Sequence, residues 1–476
     1  MSDYLGLYAG HDANAAFVRD GILIAATEEE RLTGQKHVIG TPAGAALDVL
    51  NLAQSNGDYK IVAASPHLDK LNGSIHEVID HHHAHAAYAY CTSGFDDAKV
   101  VVIDGGGANS WAGIYYCQPG EMLILTETTM QEGGCPFGQL YGRVTSALGF
   151  RVLHDEGKIM GLAAYGNPVR FEGLFNNAYV VYGQYIYANP DYDWLKMLAV
   201  VKENKQPGQR EHIAAALQDY FIEIMVNWIK ATVNVDDSLC VAGGVFANVK
   251  LNQYLLTLCN RLYVAPAMND GGLAAGAALY AAGLQPRKQH NVFLGLDLGQ
   301  LDINPQEIAQ QLAEGQIIAL AHGKMEYGPR ALGNRSILAH PGIEGMTDTL
   351  NQRLNRQEFM PFAPVILEEY AADILLDYTD LDNQPSARHM TLSYDISPEW
   401  LEPLVGVVHI DGTVRPQVIT QEAGLYYEIL KEFYNLTGLP ALINTSFNLH
   451  NQPIIRTAEQ AHKAAKKADL ILYLGK

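Results

Sequence analysis

The chain has 476 residues, long enough that two domains are expected rather than one hydrophobic core. Apolar residues make up 48% and charged residues 18%, which fits a globular enzyme and excludes a disordered chain. With 52 acidic against 32 basic residues the formal charge is −20, which argues against a general nucleic-acid binder but leaves room for a local basic groove.

Residues 4–9 alternate toward a strand that runs into the loop Gly10-His11-Asp12-Ala13-Asn14. Phe17–Val18 and Ile22–Ala25 flank Arg19-Asp20-Gly21, a hairpin signal in which glycine supplies the positive φ. Glu29-Glu30-Arg31 and Lys36-His37 add a polar cluster downstream of the Gly10 loop, a solvated loop being the plainer alternative. A helix is predicted over Pro42–Gln54, a strand over Ile61–Ala64, and a His-rich helix from near Asp80. Val100–Ile103 is a buried strand running into Asp104-Gly105-Gly106-Gly107. Ala178–Trp194 is rich in tyrosine without a clear period and reads as a packed loop, an insertion beside a cleft. The helical stretch His212–Thr232 precedes the strand Leu239–Val241, which opens into Gly243-Gly244. A strand followed by a glycine loop therefore recurs, and the repetition indicates two related α/β halves closing over a nucleotide. A boundary falls within Gly283–Gly299, where Pro286-Arg287-Lys288-Gln289 breaks the pattern. Beyond it come a helix at Pro305–Leu312, with proline at a favoured first position, and a strand at Ile317–Leu320. A Gly/Arg-rich loop follows, and near the end the strand Leu442–Ile443 leads into the polar loop Asn444–Asn448.

The five cysteines form no CxxC pair, so a reducing cytoplasm is expected. The N-terminus lacks the pattern of a signal peptide, and Leu273–Leu284 is too short to span a membrane.

His81 and His85 stand four apart, so on a helix both imidazoles share one face and can share one cation. Asp270, just before Gly271-Gly272, supplies a carboxylate; two imidazoles and a carboxylate suit iron(II), zinc or manganese rather than calcium. His82 and His83 are expected to support that site from behind or to be exposed. In the first glycine loop, Asp12 can hold a metal or its waters. In the second, Asp104 with Gly105 and Gly106 favours a phosphate or metal role, because only glycine permits so close a backbone approach. In the third, Gly243 and Gly244 are placed under an adenosine ring, with Asn248 as a further cofactor-binding residue. The second block carries arginines embedded in Gly/Pro/Asn loops: Arg330 and Arg335 in EYGPRALGNRS, Arg356 before MPFAP, and Arg415 in DGTVRPQ, with Asn444 in NTSFN. Guanidinium forks recognise phosphate or carboxylate at two points, so these loops read as anion-binding.

Eleven motifs, among them GHDAN, DHHHAHAA, IDGGG, HDEGKIMGLAAYG, GGVFANVKLN, NDGGLAAGAAL and GPRALGNRSILA, occur in order over nearly the whole chain. In these the chain resembles the O-carbamoyltransferase family that includes nodulation-factor and antibiotic carbamoyltransferases. The resemblance implies an α/β fold in two domains. Residues 1–290 would form an actin/sugar-kinase/Hsp70-like carbamoyl-transfer domain, similar to the tRNA threonylcarbamoyl transferase subunit. Residues 291–476 would form a domain similar to threonylcarbamoyl-AMP synthase.

The implied reaction makes carbamoyl adenylate from carbamoyl phosphate and ATP, with magnesium accompanying ATP, and passes the carbamoyl group to an acceptor hydroxyl. Iron-type ligands map onto His81, His85 and Asp270, and the carbamoyl-phosphate side onto Arg330, Arg335, Arg356, Arg415 and Asn444, with Lys324 as a lesser contact. His11 or Asp12 is expected as the base, His11 preferred, and Lys158 as a phosphate contact or orienting group. The expected acceptor is a hydroxylated small molecule such as a sugar or secondary metabolite, and the expected assembly a cytoplasmic homodimer off the membrane. A hydroxymethylated pyrimidine such as 5-hydroxymethylcytosine, as a nucleotide or in phage-type DNA, is the alternative acceptor. A sugar-kinase-type phosphotransferase is the alternative class, and it accounts for the glycine loops but not for HxxxH or the C-terminal block.

Overall fold

The computed structural model describes residues 2–65, 74–107, 109–130, 135–287, 291–356 and 360–476. The chain packs as two compact units. The first comprises 1–9, 18–22 and 59–290, and the second comprises 10–17, 23–58 and 291–476. Lys288 and Gln289 of the expected boundary motif lie outside the described residues.

Two five-stranded sheets repeat one plan. In the first, β1 (Tyr4–Tyr8), β2 (Asn14–Arg19), β3 (Ile22–Glu28), β4 (Lys60–Ala63) and β5 (Glu77–Val78) lie in the order β3-β2-β1-β4-β5. In the second, β6 (Ala98–Ile103), β7 (Ser110–Gln118), β8 (Glu121–Thr129), β11 (Ser238–Ala242) and β12 (Arg261–Val264) lie in the order β12-β11-β6-β7-β8. Read from the other edge this is β8-β7-β6-β11-β12, so each sheet has a central strand, a hairpin on one side and parallel strands on the other. Tyr4 pairs with Lys60 and Leu239 with Lys99, both in parallel register. The two related halves expected from the recurring glycine loops are therefore present. The hairpin between β2 and β3 turns on Asp20 at φ 50° and Gly21 at φ 76°, where glycine tolerates the left-handed region without strain.

The tyrosine-rich segment departs from expectation. It forms an antiparallel hairpin, β9 (Tyr179–Tyr182) with β10 (Tyr185–Ala188), rather than a loop. Its strands are only four residues long, too short for the alternation to stand out against neighbouring tyrosines.

Glycine sets the closest approach in the first unit. A Cβ on Gly6 would fall 1.9 Å from Ala274 O, and one on Gly276 would fall 1.9 Å from Ala84 O. Only hydrogen at these positions lets helix Leu273–Ala281 lie against β1 and against helix His81–Ser93. Asp270 sits in the short turn leading into the first of these helices, so the tight packing carries it to the histidines of the second.

In the second unit, β14 (Ile318–Ala321), β16 (Arg335–Ala339), β17 (Ala363–Leu367), β20 (Gln417–Ile419), β21 (Ala441–Ser446) and β22 (Ile471–Leu474) form one sheet, ordered β20-β17-β21-β16-β14-β22. Small pairs accompany it, β13 (Phe293–Asp297) with β15 (Lys324–Glu326) and β18 (Tyr394–Asp395) with β19 (Thr413–Val414). Helices Pro305–Ala313 and Leu425–Thr437 bury Ile308, Leu312, Ile429 and Phe433 against Leu320, Leu338 and Val365. Burial of such side chains contributes roughly 1.5–3 kcal/mol each. The strand expected at Leu442–Ile443 extends to Ser446, because residues 444–446 pair with β16. Asn444 is thus a strand residue and not part of a loop. Among the described residues no helix is long and apolar enough to cross a membrane.

Candidate functional site

In the first unit, helix His81–Ser93 begins at Asp80, whose carboxylate accepts the backbone N–H of His82 and His83 as an N-cap. One turn separates His81 from His85, and both rings face the end of β6. Asp104, the residue after β6, places Oδ2 at 3.1 Å from His85 Nε2 and 3.5 Å from His81 Nε2. Asp270 Oδ1 lies 3.5 Å from His85 Nε2 and 3.7 Å from His81 Nε2, and its Oδ2 accepts the Tyr8 hydroxyl at 2.5 Å.

The expected trio is therefore a quartet, its donor atoms all within 4.8 Å of one another. Two nitrogens and two carboxylate oxygens form a donor set that fits zinc, iron(II) or manganese. Gly107 leaves room for the His81 ring, since a Cβ there would stand 3.1 Å from it. Burial disfavours charge on His85, but Asp104 and Asp270 overcome this and push its pKa up to about 9. Burial likewise opposes ionisation of Asp104, yet the two imidazoles hold it well below the usual carboxylate range.

Neither neighbouring histidine joins the quartet. His82 is fully buried, not exposed, with Nδ1 3.0 Å from Ser110 Oγ, and burial beside His81 and His85 pushes it down to about 3. His83 stacks on Tyr280.

The glycine loops meet at Asp104. Gly105 N–H donates to Asp104 Oδ1 at 2.5 Å, and a Cβ on Gly244 would lie 3.5 Å from that oxygen. A Cβ on Gly243 would overlap Ile103 O at 2.1 Å, so this glycine, at φ 101°, is required for the third loop to cross the end of β6. Gly106 adopts φ 131°. The Asn248 amide exchanges two hydrogen bonds with Gln218 and caps a short helix through Leu251 N–H. Lys158 pairs with Asp155 at 3.2 Å, one turn along its own helix.

The second unit gathers cations. Arg330 and Arg415 are partly buried, and among the described residues neither has an acidic partner within salt-bridge distance. Burial pushes Arg330 down to about 10; burial first, and then Arg330 itself, push Arg415 well below the usual range. Arg330 Nε is buried without a hydrogen-bond partner. Arg356 lies over Phe362 and donates to Thr445 Oγ1 at 3.1 Å. Asn444 Nδ2 donates to Gln417 Oε1 at 2.8 Å and to Ala331 O at 3.1 Å, while its Oδ1 is buried with no hydrogen-bond partner among the described residues.

Arg335 breaks with expectation. It is fully buried, and its Nη groups donate to the carbonyls of His322, Gly323, Asn334 and Leu296. Its guanidinium ties the loop together instead of facing an anion. Lys324 is exposed at the start of β15.

The loop of His11 and Asp12 belongs to this unit. Asp12, at φ 59°, sets one oxygen 3.3 Å from His11 Nδ1 and the other 2.6 Å from His37 Nδ1. The Glu29–Arg31 stretch is not a solvated loop. It opens helix Glu29–Thr33, with Arg31 only 4% exposed and bound to Glu28 Oε2 at 2.7 Å and to Gly328 O at 2.8 Å.

Three participants escape a reading of residue order. Asp104 points there to a phosphate or metal without being counted among the ligands, although an acid ending a buried strand opposite an HxxxH helix is itself a metal-ligand signal. Tyr8 looks like one inward residue of a strand. His37 looks like part of a surface loop.

Two family models match the chain, described as Carbamoyltransferase N-terminus over residues 59–279 and Carbamoyltransferase C-terminus over residues 309–476. Nodulation protein NolNO of Sinorhizobium fredii is 30% identical, the match covering 97% of this chain and 77% of that protein. Nodulation protein NolO of Bradyrhizobium diazoefficiens is 31% identical over 82% of this chain and 77% of its own length. Among solved structures, full-length HypF in a phosphate- and nucleotide-bound form aligns at TM-score 0.40 and 14% identity, covering 59% of this chain and 55% of that one.

Proposed function

The chain belongs to the carbamoyltransferase family, and from that premise we propose that it is an ATP-dependent O-carbamoyltransferase working through carbamoyl adenylate. Carbamoyl transfer is the family's reaction; the adenylate, the acceptor and the residue roles are our reading. Carbamoyl phosphate, ATP and one water give carbamoyl adenylate, pyrophosphate and phosphate. An acceptor hydroxyl then attacks the carbamoyl carbon, the bond from that carbon to the AMP oxygen breaks, and AMP leaves. We assign the first step to residues 291–476 and the second to residues 1–290.

The observation that carries this reading is the Arg330–Arg415 pair. Two partly buried guanidiniums that have no acidic partner among the described residues are unfavourable alone and become favourable when an anion enters. A phosphoanion held by two forks matches that need, with Arg356 and Asn444 as further polar contacts and Lys324 at the exposed margin. His81, His85, Asp104 and Asp270 would hold a divalent metal, iron(II), zinc or manganese. Such a metal, when bound, offsets phosphate charge on the adenylate. The glycines of the second and third loops, at 105–107 and 243–244, would let a nucleotide approach the backbone there. Asn248 and Gln218 form the floor beneath that loop, and Lys158 is a phosphate contact or orienting group. His11, oriented by Asp12, takes the acceptor proton.

The acceptor we favour is a hydroxylated small molecule, since a charge of −20 disfavours polyanionic DNA. The test incubates the protein with ATP and carbamoyl phosphate and follows pyrophosphate without acceptor. A panel of alcohols, including hydroxymethylcytosine DNA, is then screened for the mass gain of one carbamoyl group. Pyrophosphate release that does not need carbamoyl phosphate would overturn the adenylate step.

A further inference from the structure

The Asp12 carboxylate faces an imidazole on each side. Its Oδ2 is 3.3 Å from His11 Nδ1 and its Oδ1 is 2.6 Å from His37 Nδ1. The three side chains differ in exposure, His11 at 37%, His37 at 29% and Asp12 at 13%, so the carboxylate is the covered centre and His11 the accessible end.

Backbone hydrogen bonds join the two loops around this carboxylate. Gly10 and Gly40 exchange two hydrogen bonds at 3.3 and 3.1 Å, and Ala13 N–H donates to Val38 O at 3.4 Å. The His37 loop is thereby stitched to the His11 loop on both sides of the carboxylate. His37 and Asp12 each sit at positive φ, 54° and 59°, a conformation that non-glycine residues hold only when their surroundings impose it. The His37 N–H donates to Glu30 Oε2 at 3.1 Å, Glu30 Oε1 lies 3.2 Å from Arg31 Nη1, and Asn14 Nδ2 donates to Asp12 O at 2.7 Å.

We propose that His37 is the positioning residue of a His11–Asp12–His37 relay, holding the Asp12 carboxylate so that Asp12 orients His11 and His11 Nε2 takes the acceptor hydroxyl's proton. The proposal rests on the reading of His11 as base given above. In the transfer step the acceptor oxygen forms its bond to the carbamoyl carbon while the carbon–oxygen bond to AMP breaks. The hydroxyl proton moves to His11 Nε2, and the Nδ1–H of His11 stays with Asp12. His37 never touches the substrate. It fixes the second carboxylate oxygen and, when protonated, offsets part of the charge that Asp12 directs at His11.

Asp12 on the first loop, Glu30 on the preceding helix and the adjacent Lys36 act on His37, while Arg31 pairs with Glu30 and His11 with Asp12. Burial disfavours charge on His37, but the bond to Asp12 and its charge, aided by Glu30 and opposed by Lys36, raise its pKa. Burial opposes ionisation of Asp12, and the two imidazoles overcome it, so the carboxylate stays ionised. With His37 gone, the full charge of Asp12 bears on His11 and its proton is held more tightly. The acidic limb of the transfer profile then moves to higher pH.

The test compares kcat–pH profiles for carbamoylation of an acceptor identified in the alcohol screen, for wild type, His37→Gln, His37→Leu and Asp12→Asn, with Tm measured for each. His37→Gln keeps a donor for Asp12 without the charge. It is expected to retain kcat within about tenfold while its acidic limb rises by about one pH unit. His37→Leu is expected to lose roughly 10- to 100-fold in kcat with little change in acceptor KM, a loss that His37→Gln partly restores. A profile for His37→Gln that superimposes on wild type, with Asp12→Asn inactive, overturns the role of His37 alone. Full transfer activity in Asp12→Asn overturns the His11–Asp12 base itself. Should His37→Leu not fold, the His37→Gln profile still decides.

Discussion

The metal-type quartet of the first unit and the arginine pair of the second are built on opposite electrostatic plans. In the quartet two carboxylates face two imidazoles, and the carboxylates favour a proton on His85. In the pair two guanidiniums lie near each other and, among the described residues, no acid stands within salt-bridge distance of either. A site of the first kind is stable empty and takes a cation by releasing protons. A site of the second kind is strained empty and is completed by the anion it binds. The difference predicts that substitutions in the two places fail in different ways.

The largest effect is expected for His81→Ala. Transfer to the acceptor should be abolished, and metal content by elemental analysis should fall, while carbamoyl-phosphate breakdown persists. Full transfer activity in that variant would remove the quartet from the mechanism. Next comes Arg330→Ala, which should lower both carbamoyl-phosphate-dependent pyrophosphate release and transfer by about 10²–10³-fold, the usual cost of one preorganised donor to a charged group. Loss of transfer alone would blur the contrast between the two sites.

Arg335→Met sharpens the comparison from the other side. Its guanidinium bonds four carbonyls, so the variant should lose on the order of 2–3 kcal/mol of stability in chemical denaturation. Each folded molecule should still release pyrophosphate near the wild-type rate.

The smallest effect concerns pH. The folded-state pKa of His85 is raised to about 9 from an ordinary value of 6.5. Its stabilising contribution is therefore complete below pH 6.5 and is lost as pH rises through 9. Metal-free protein should show this as a Tm that falls between those two pH values, at a slope of at most roughly 1.4 kcal/mol of stability per pH unit. His85→Gln should flatten the dependence. An equally steep decline in that variant would place the titration elsewhere.

Much of this is legible in residue order. The HxxxH spacing, the strand-then-glycine loops and the hairpin turn at Asp20-Gly21 each have a local cause, so the pattern alone predicts them. What stays hidden depends on residues far apart in the chain. Tyr8 reaches Asp270 only because Gly6 lets the helix after Asp270 lie against β1, and Asp104 meets the histidines from the end of a strand distant from them in sequence. Arg335 and Arg330 stand in one motif, yet one turns to carbonyls and the other, among the described residues, leaves its Nε without a hydrogen-bond partner. Spacing on an irregular loop carries no direction for a side chain. His37 meets Asp12 through backbone hydrogen bonds between loops, which leave no mark on composition or period.

The most direct test of the central claim, that the arginine pair is completed by a phosphoanion, is calorimetric titration of wild type and Arg415→Met with carbamoyl phosphate, repeated with inorganic phosphate. Saturable binding by wild type that weakens with added salt, and affinity at least about 100-fold lower in a variant whose Tm is no lower than wild type, is the result expected. Equal affinity in the two proteins would contradict it.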